Sequence, residues 1–143
     1  PTQDLLLSGI LEMFPSLRVL LAESGVGWLP FVLQMHDRNF KPNEYLKMKP
    51  SEYFHRQCVG GFWRERVDDY VLDICGDDNI AWEQDYPHAV STWPESHEAI
   101  EYSLANVKDE TVRQKILWRN SARLFKLDIE GIFSTHVNGE RAD

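Results

Sequence analysis

Hydrophobic and polar positions alternate along this chain with two different periods, and the switches between them mark its elements. Between Asp4 and Phe14 apolar residues recur at helical spacing; Asp4 is placed to cap the start and Pro15 to end it, which predicts a short amphipathic helix. Arg18-Val19-Leu20-Leu21-Ala22 is then an almost wholly apolar run, the pattern of a strand covered on both faces. Glu23-Ser24-Gly25-Val26-Gly27 reads as the loop leaving it, and a helix is predicted from Trp28 to Asn39, with Pro30 tolerated in its first turn. A lysine- and proline-rich loop over 40–50 leads to a helical turn beginning at Pro50.

Gln57-Cys58-Val59-Gly60-Gly61-Phe62-Trp63 is the second predicted strand, its glycines pointing to close backbone approach. A helix over 65–75 and a turn at Gly76-Asp77-Asp78 precede the third strand, Asn79-Ile80-Ala81-Trp82-Glu83. A polar loop runs to Pro94. Two helices follow, over 95–106 and 109–118, and Asn120 is expected to cap a further short helix from Ser121 to Phe125. The tail from residue 129 lacks periodicity and is expected to be poorly ordered. Strands alternating with helices imply an α/β fold with parallel strands joined by crossovers. Three such strands would leave two open sheet edges.

Composition narrows the function classes. A chain of 143 residues with 43% hydrophobic and 27% charged residues can bury a core. Its net charge of −8 argues against nucleic acid and against an anionic membrane surface as partners. No apolar run approaches the roughly 20 residues that span a bilayer. The two cysteines, Cys58 and Cys75, lie in apolar settings and read as reduced core thiols, which together with the lack of a secretory pattern predicts a cytoplasmic protein. The chain opens on Pro1 and is expected to be a piece of something longer. Familiar catalytic patterns fail: His97-Glu98-Ala99-Ile100-Glu101 lacks the second histidine of a zinc-protease helix, Gly25-Val26-Gly27 lacks the third glycine of a dinucleotide loop, and no Gly-x-Ser-x-Gly elbow occurs.

Six segments carry a resemblance. They are Phe14-Pro15-Ser16-Leu17-Arg18-Val19, Glu23-Ser24-Gly25-Val26-Gly27-Trp28-Leu29-Pro30, Pro50-Ser51-Glu52-Tyr53-Phe54, Asp85-Tyr86-Pro87-His88, Ser91-Thr92-Trp93-Pro94 and Asn120-Ser121-Ala122-Arg123-Leu124-Phe125. In this order and spacing the chain resembles the amidohydrolase-related family, in the branch similar to aminocarboxymuconate-semialdehyde decarboxylase, over about residues 5–127. The resemblance implies a partial (β/α)8 barrel in which residues 1–128 hold the last three βα units. A complete barrel takes about 250 residues. It also implies a divalent metal, with zinc expected, whose other ligands include an early His-x-His pair; this chain has none.

The candidate site residues follow the predicted strands. Asp85 leaves the third strand at its carboxyl end, the catalytic edge of a parallel barrel. Read from the residues alone it is first of all a cap for the following loop; the resemblance implies a metal ligand, or the base that handles the proton of metal-bound water. His88, in the same loop, is a candidate for substrate contact or for support of the metal ligand. Glu23 stands where several relatives carry a catalytic histidine, so that role does not carry over. Glu23 can act as a general base, bind a cationic substrate group or merely pair with an arginine. Trp63 and Trp28 are candidates to line an apolar substrate pocket, and Arg56 to bind a substrate carboxylate through its guanidinium fork.

The expected function is metal-dependent hydrolysis of a C–N or C–O bond, or decarboxylation, of a small carboxylated substrate. The alternative is a catalytically silent half-barrel that acts as an interaction module, partnered by a second copy or by the missing N-terminal part of the barrel.

Overall fold

A computed structural model of the chain describes residues 1–129 and 131. Its elements run in the order α1 (Thr2–Leu7), α2 (Ile10–Met13), β1 (Val19–Leu21), α3 (Leu29–Arg38), α4 (Pro50–Gln57), β2 (Cys58–Phe62), α5 (Asp69–Cys75), β3 (Ile80–Trp82), α6 (Ser96–Ser103), α7 (Glu110–Gln114), a π-helical turn (Lys115–Arg119) and α8 (Asn120–Phe125). The three strands lie side by side in the order β1-β2-β3, and both pairs are parallel, with Leu20 opposite Val59 and Gly61 opposite Ala81.

Strand alternation sorts the sheet into two faces. Val19 and Leu21, Cys58 and Phe62, and Ile80 and Trp82 face the helices and join a core built with Leu11, Val26, Leu29, Leu33, Tyr53, Phe54, Val71 and Ile116. Tyr53, Phe54, Phe62, Leu29 and Ile80 are fully buried, and burying each aliphatic or phenyl side chain stabilises the fold by about 1.5–3 kcal/mol. The opposite face carries small residues at its centre, Gly61 beside Ala81. Cys58 and Cys75 are free and buried, and burial pushes both thiols up to about 12.

Several boundaries differ from the sequence reading. The helix expected over 4–14 is two, because Gly9 takes φ +81°, a left-handed turn that only glycine adopts cheaply. Asp4 is not a cap but a first-turn residue of α1. At Pro50 a full helix forms rather than a turn; the Glu52 carboxylate accepts from the Lys49 N–H at 2.7 Å and closes its start. The helix expected from 65 begins at Asp69, since Asp68 accepts from the Val71 N–H at 3.0 Å. The helices expected over 109–118 and 121–125 form one run through the π turn.

Asn120 therefore lies inside a helix and caps nothing. Its side-chain amide donates to the Asp77 and Ile80 carbonyls, both at 2.8 Å, pinning that helical run to β3. Two more buried amides do similar work at the amino end of the sheet. Gln57 donates to the Phe14 carbonyl at 2.9 Å, and Asn79 to the Cys58 carbonyl at 2.8 Å. Each satisfies backbone acceptors that burial would otherwise leave unpaired.

No helix among the described residues is long and apolar enough to cross a membrane. The tail expected from residue 129 lies, apart from Ile129 and Gly131, outside the described residues.

Candidate active site

Because the three strands are parallel, their carboxyl ends share one edge, and the residues that follow them converge there. After β3 the ladder runs one residue further, the Glu83 N–H donating to the Phe62 carbonyl at 2.8 Å. Alternation then turns Glu83 away from the helices, over Gly61. A Cβ built on Gly61 would lie 2.7 Å from a Glu83 carboxylate oxygen, so a side chain here would displace that carboxylate. Glu83 Oε1 accepts from the Glu23 N–H at 2.6 Å. Burial raises the Glu83 carboxyl above its ordinary value; the Glu23 hydrogen bond opposes that, and the charges of Glu23 and Asp85 add to it.

The loop after β1 has a second carboxylate anchor, Glu65 Oε2, which accepts from the Val26 N–H at 2.5 Å. Glu23 and Asp85 both sit in the left-handed region, at φ 52° and 64°. Residues other than glycine rarely stay there unless their surroundings impose it, and such positions gather at functional sites.

Asp85 has a side chain only 5% exposed. One carboxylate oxygen, Oδ1, lies 2.8 Å from His88 Nδ1, while Oδ2 is buried without a hydrogen-bond partner. A turn brings His88 back over the carboxylate, its N–H donating to the Asp85 carbonyl at 2.9 Å. The imidazole itself is 63% exposed. One ligand atom from each of Glu23, Asp85 and His88 lies within 4.8 Å of the others. Two carboxylates and an imidazole are a donor set for manganese or zinc, and the unpartnered oxygen of Asp85 is the atom such an ion would satisfy. The residues present fit a divalent cation.

Beside this cluster a cleft of about 230 Å³ is lined by Glu23, Ser24, Gly25, Trp63, Arg64 and Glu65. The structure thus brings together Asp85, His88, Glu23 and Trp63. It does not bring Arg56 or Trp28 to the cleft. Arg56 is on α4, ahead of β2, and so belongs to the amino end of the sheet. Its guanidinium donates to the Leu11 carbonyl at 2.6 Å and to Gln57 at 2.8 Å, and packs over the Tyr53 ring. Trp28 starts α3, packs partly buried against the core and donates its indole N–H to the Ser24 carbonyl at 2.9 Å, so it braces the β1 loop from outside the cleft.

Glu83, Glu65 and Arg64 are absent from the candidate site residues read from the sequence. Glu83 was within reach of it: two residues before Asp85 at a strand end, alternation places it on the same side. Arg64 directly follows Trp63, and its Nη2 donates to the Ser91 carbonyl at 2.8 Å, tying the loop after β3 to the cleft. No spacing in the chain signals that Glu65 reaches Val26.

Comparison with known proteins adds three findings. The sequence model of a family described as amidohydrolase matches residues 1–127. Gamma-resorcylate decarboxylases of Rhizobium radiobacter and a Polaromonas species are 29% and 28% identical, over 87% and 85% of this chain but 38% of each relative. Among solved structures, 5-carboxyvanillate decarboxylase of Sphingomonas paucimobilis is 28% identical at a TM-score of 0.65, covering 87% of this chain and 38% of that one. A dihydroxybenzoic acid decarboxylase from Polaromonas with bound manganese and the inhibitor 2-nitroresorcinol superposes at a TM-score of 0.69 with 23% identity, covering 89% of this chain and 39% of that one. The chain therefore spans about two fifths of the length of these relatives.

Proposed function

The chain belongs to the amidohydrolase family, and from that membership we propose that it supplies the last three βα units of a divalent-metal-dependent decarboxylase acting on a small carboxylated aromatic compound. The observation that carries this reading is the buried Asp85 carboxylate with its unpartnered Oδ2, at the carboxyl rim beside Glu23 and His88. Decarboxylation is favoured over the C–N or C–O hydrolysis expected beside it because the relatives named above are decarboxylases. Manganese rather than zinc is the first ion to test, since the donors are mostly hard oxygens and one relative's structure holds manganese.

Asp85 would hold the ion, with His88 as a second donor of this chain, leaving the neighbouring Glu23 carboxylate outside the ion's shell. The bound ion supplies a Lewis acid that polarises a substrate oxygen. Its charge also answers an electrostatic difficulty, because Glu23, Glu65, Glu83 and Asp85 gather at a rim that must admit an anionic substrate. Arg64 is the cation lining the cleft, and it replaces Arg56 as the group that meets a substrate carboxylate. Trp63 offers an aromatic wall to a ring. Glu23, exposed and held by its own backbone, is the residue placed to hold and deliver the proton that replaces the carboxyl group on carbon.

The test is metal analysis of the purified protein, followed by carbon dioxide release from gamma-resorcylate, 5-carboxyvanillate and related hydroxybenzoates with manganese added. Turnover that needs manganese and is lost in Asp85→Asn is the expected result. A complete barrel carrying these units that neither binds manganese nor releases carbon dioxide from any of these overturns the reading and favours the silent interaction module, for which the open edges of β1 and β3 among the described residues argue.

A further inference from the structure

We propose that Glu83 is a positioning residue that sets the place of Glu23 by strapping β3 to the loop after β1 across the bare backbone of Gly61. This deepens the reading of Glu23 as the proton-handling group and rests on it. Three observations converge. Glu83 Oε1 takes the Glu23 N–H at 2.6 Å, a bond between residues 60 positions apart. Its carboxylate occupies the space that any side chain at Gly61 would need. Glu23 holds φ 52°, a conformation without intrinsic support in a glutamate.

The Glu23 N–H ties the backbone at the start of this turn to Glu83, and the turn decides where the Glu23 side chain points. A carboxylate acceptor on a short hydrogen bond from the adjacent loop is a stiff constraint on it. β2 lies between β1 and β3, so the strap has to cross it, and Gly61 is the gap it crosses through. Glu65 holds the far side of the same loop at Val26, leaving the segment between the anchors little freedom. Glu83 is not itself among the residues lining the cleft and offers none of the three candidate ligand atoms; its hydrogen bond to the site is the one from the Glu23 N–H.

The experiment pairs amide hydrogen exchange with kinetics. In the wild-type protein the Glu23 amide, on an exposed residue, should be protected at least about 10-fold over an open loop, because an amide exchanges only when its hydrogen bond opens. Exchange at the open-loop rate overturns the proposal with no variant needed. Glu83→Ala should lose that protection and lower kcat by about 100-fold while KM and manganese affinity stay near wild type, the signature of a misplaced group. Glu83→Gln keeps an acceptor oxygen and should restore most of both. Gly61→Ala, which displaces the strap without touching Glu83 chemically, should reproduce the Glu83→Ala exchange pattern. Adding Glu83→Ala to Glu23→Ala should cost nothing further. If Glu23→Ala leaves turnover intact, the functional reading of Glu23 fails. If Glu23→Ala is severe but Glu83→Ala is silent, or the two effects add, only the strap fails.

Discussion

Asp85→Asn separates what the carboxylate does for the fold from what it does for a metal. The change keeps shape and removes one charge from a rim where Glu23, Glu83 and Asp85 crowd together. At the 4.8 Å limit that bounds the Glu23–Asp85 approach, Coulomb's law gives about 0.9 kcal/mol of repulsion in water and about 3.5 kcal/mol at an effective dielectric of 20. Glu23 is exposed, so the lower end applies, about 1 kcal/mol. Against it stands the loss of the charge on the His88 hydrogen bond. That imidazole is 63% exposed, and the loss is about 0.5 kcal/mol. The net is a slight stabilisation without metal, a rise in Tm of about 1–3 °C for a chain of this length. With metal the order reverses. Losing an anionic ligand should weaken manganese binding by about 100-fold or more. At a manganese concentration 100 times the wild-type Kd, the wild type gains about 2.7 kcal/mol and the variant about 0.4 kcal/mol. Thermal melts in EDTA and in manganese read both effects. A variant that melts well below wild type in EDTA, yet gains as much from manganese, would make Asp85 a structural cap and refute the argument.

Asn120→Ala should destabilise the protein by about 2–3 kcal/mol in urea unfolding, because the buried Ile80 carbonyl and the half-buried Asp77 carbonyl lose their only described side-chain donor; a loss under about 0.5 kcal/mol would contradict the pinning of α8 to β3. Cys58 and Cys75 should resist alkylation at pH 8 in the native state and react on unfolding, since a thiol raised from 9.0 to about 12 has its thiolate suppressed roughly 1000-fold. Because the folded state keeps these protons longer than the unfolded one, their contribution to stability is whole below pH 9 and is lost as pH rises toward 12. Urea midpoints at pH 8 and 10.5 should fall in that order, and Cys→Ser at either position should flatten the difference.

What the sequence by itself determined was the α/β order, the three strands and which residues follow them. Apolar runs such as Val19-Leu20-Leu21 are local signals, and a residue directly after a strand is at the rim wherever the strand goes. That is why Asp85, Glu23 and Trp63 were legible, and why the family resemblance, an ordered set of short segments, pointed the same way. Boundaries failed where a single backbone event overrode periodicity, as at Gly9 with its positive φ and at Asp68 with its cap.

Only the tertiary structure decided which charged residues share an edge. Parallel strand pairing sends Arg56 to the amino end, where it serves the packing of α4, and sends Arg64 to the cleft. The same pairing places Glu83 across Gly61 against the Glu23 backbone, a contact between residues far apart in the chain that no local pattern encodes. Amides secure the amino end through hydrogen bonds that leave no charge behind, while carboxylates gather at the carboxyl end, where their mutual repulsion favours a cation or a proton. The division arises because propensity and periodicity act within a few residues, whereas electrostatics and hydrogen-bond geometry act through space.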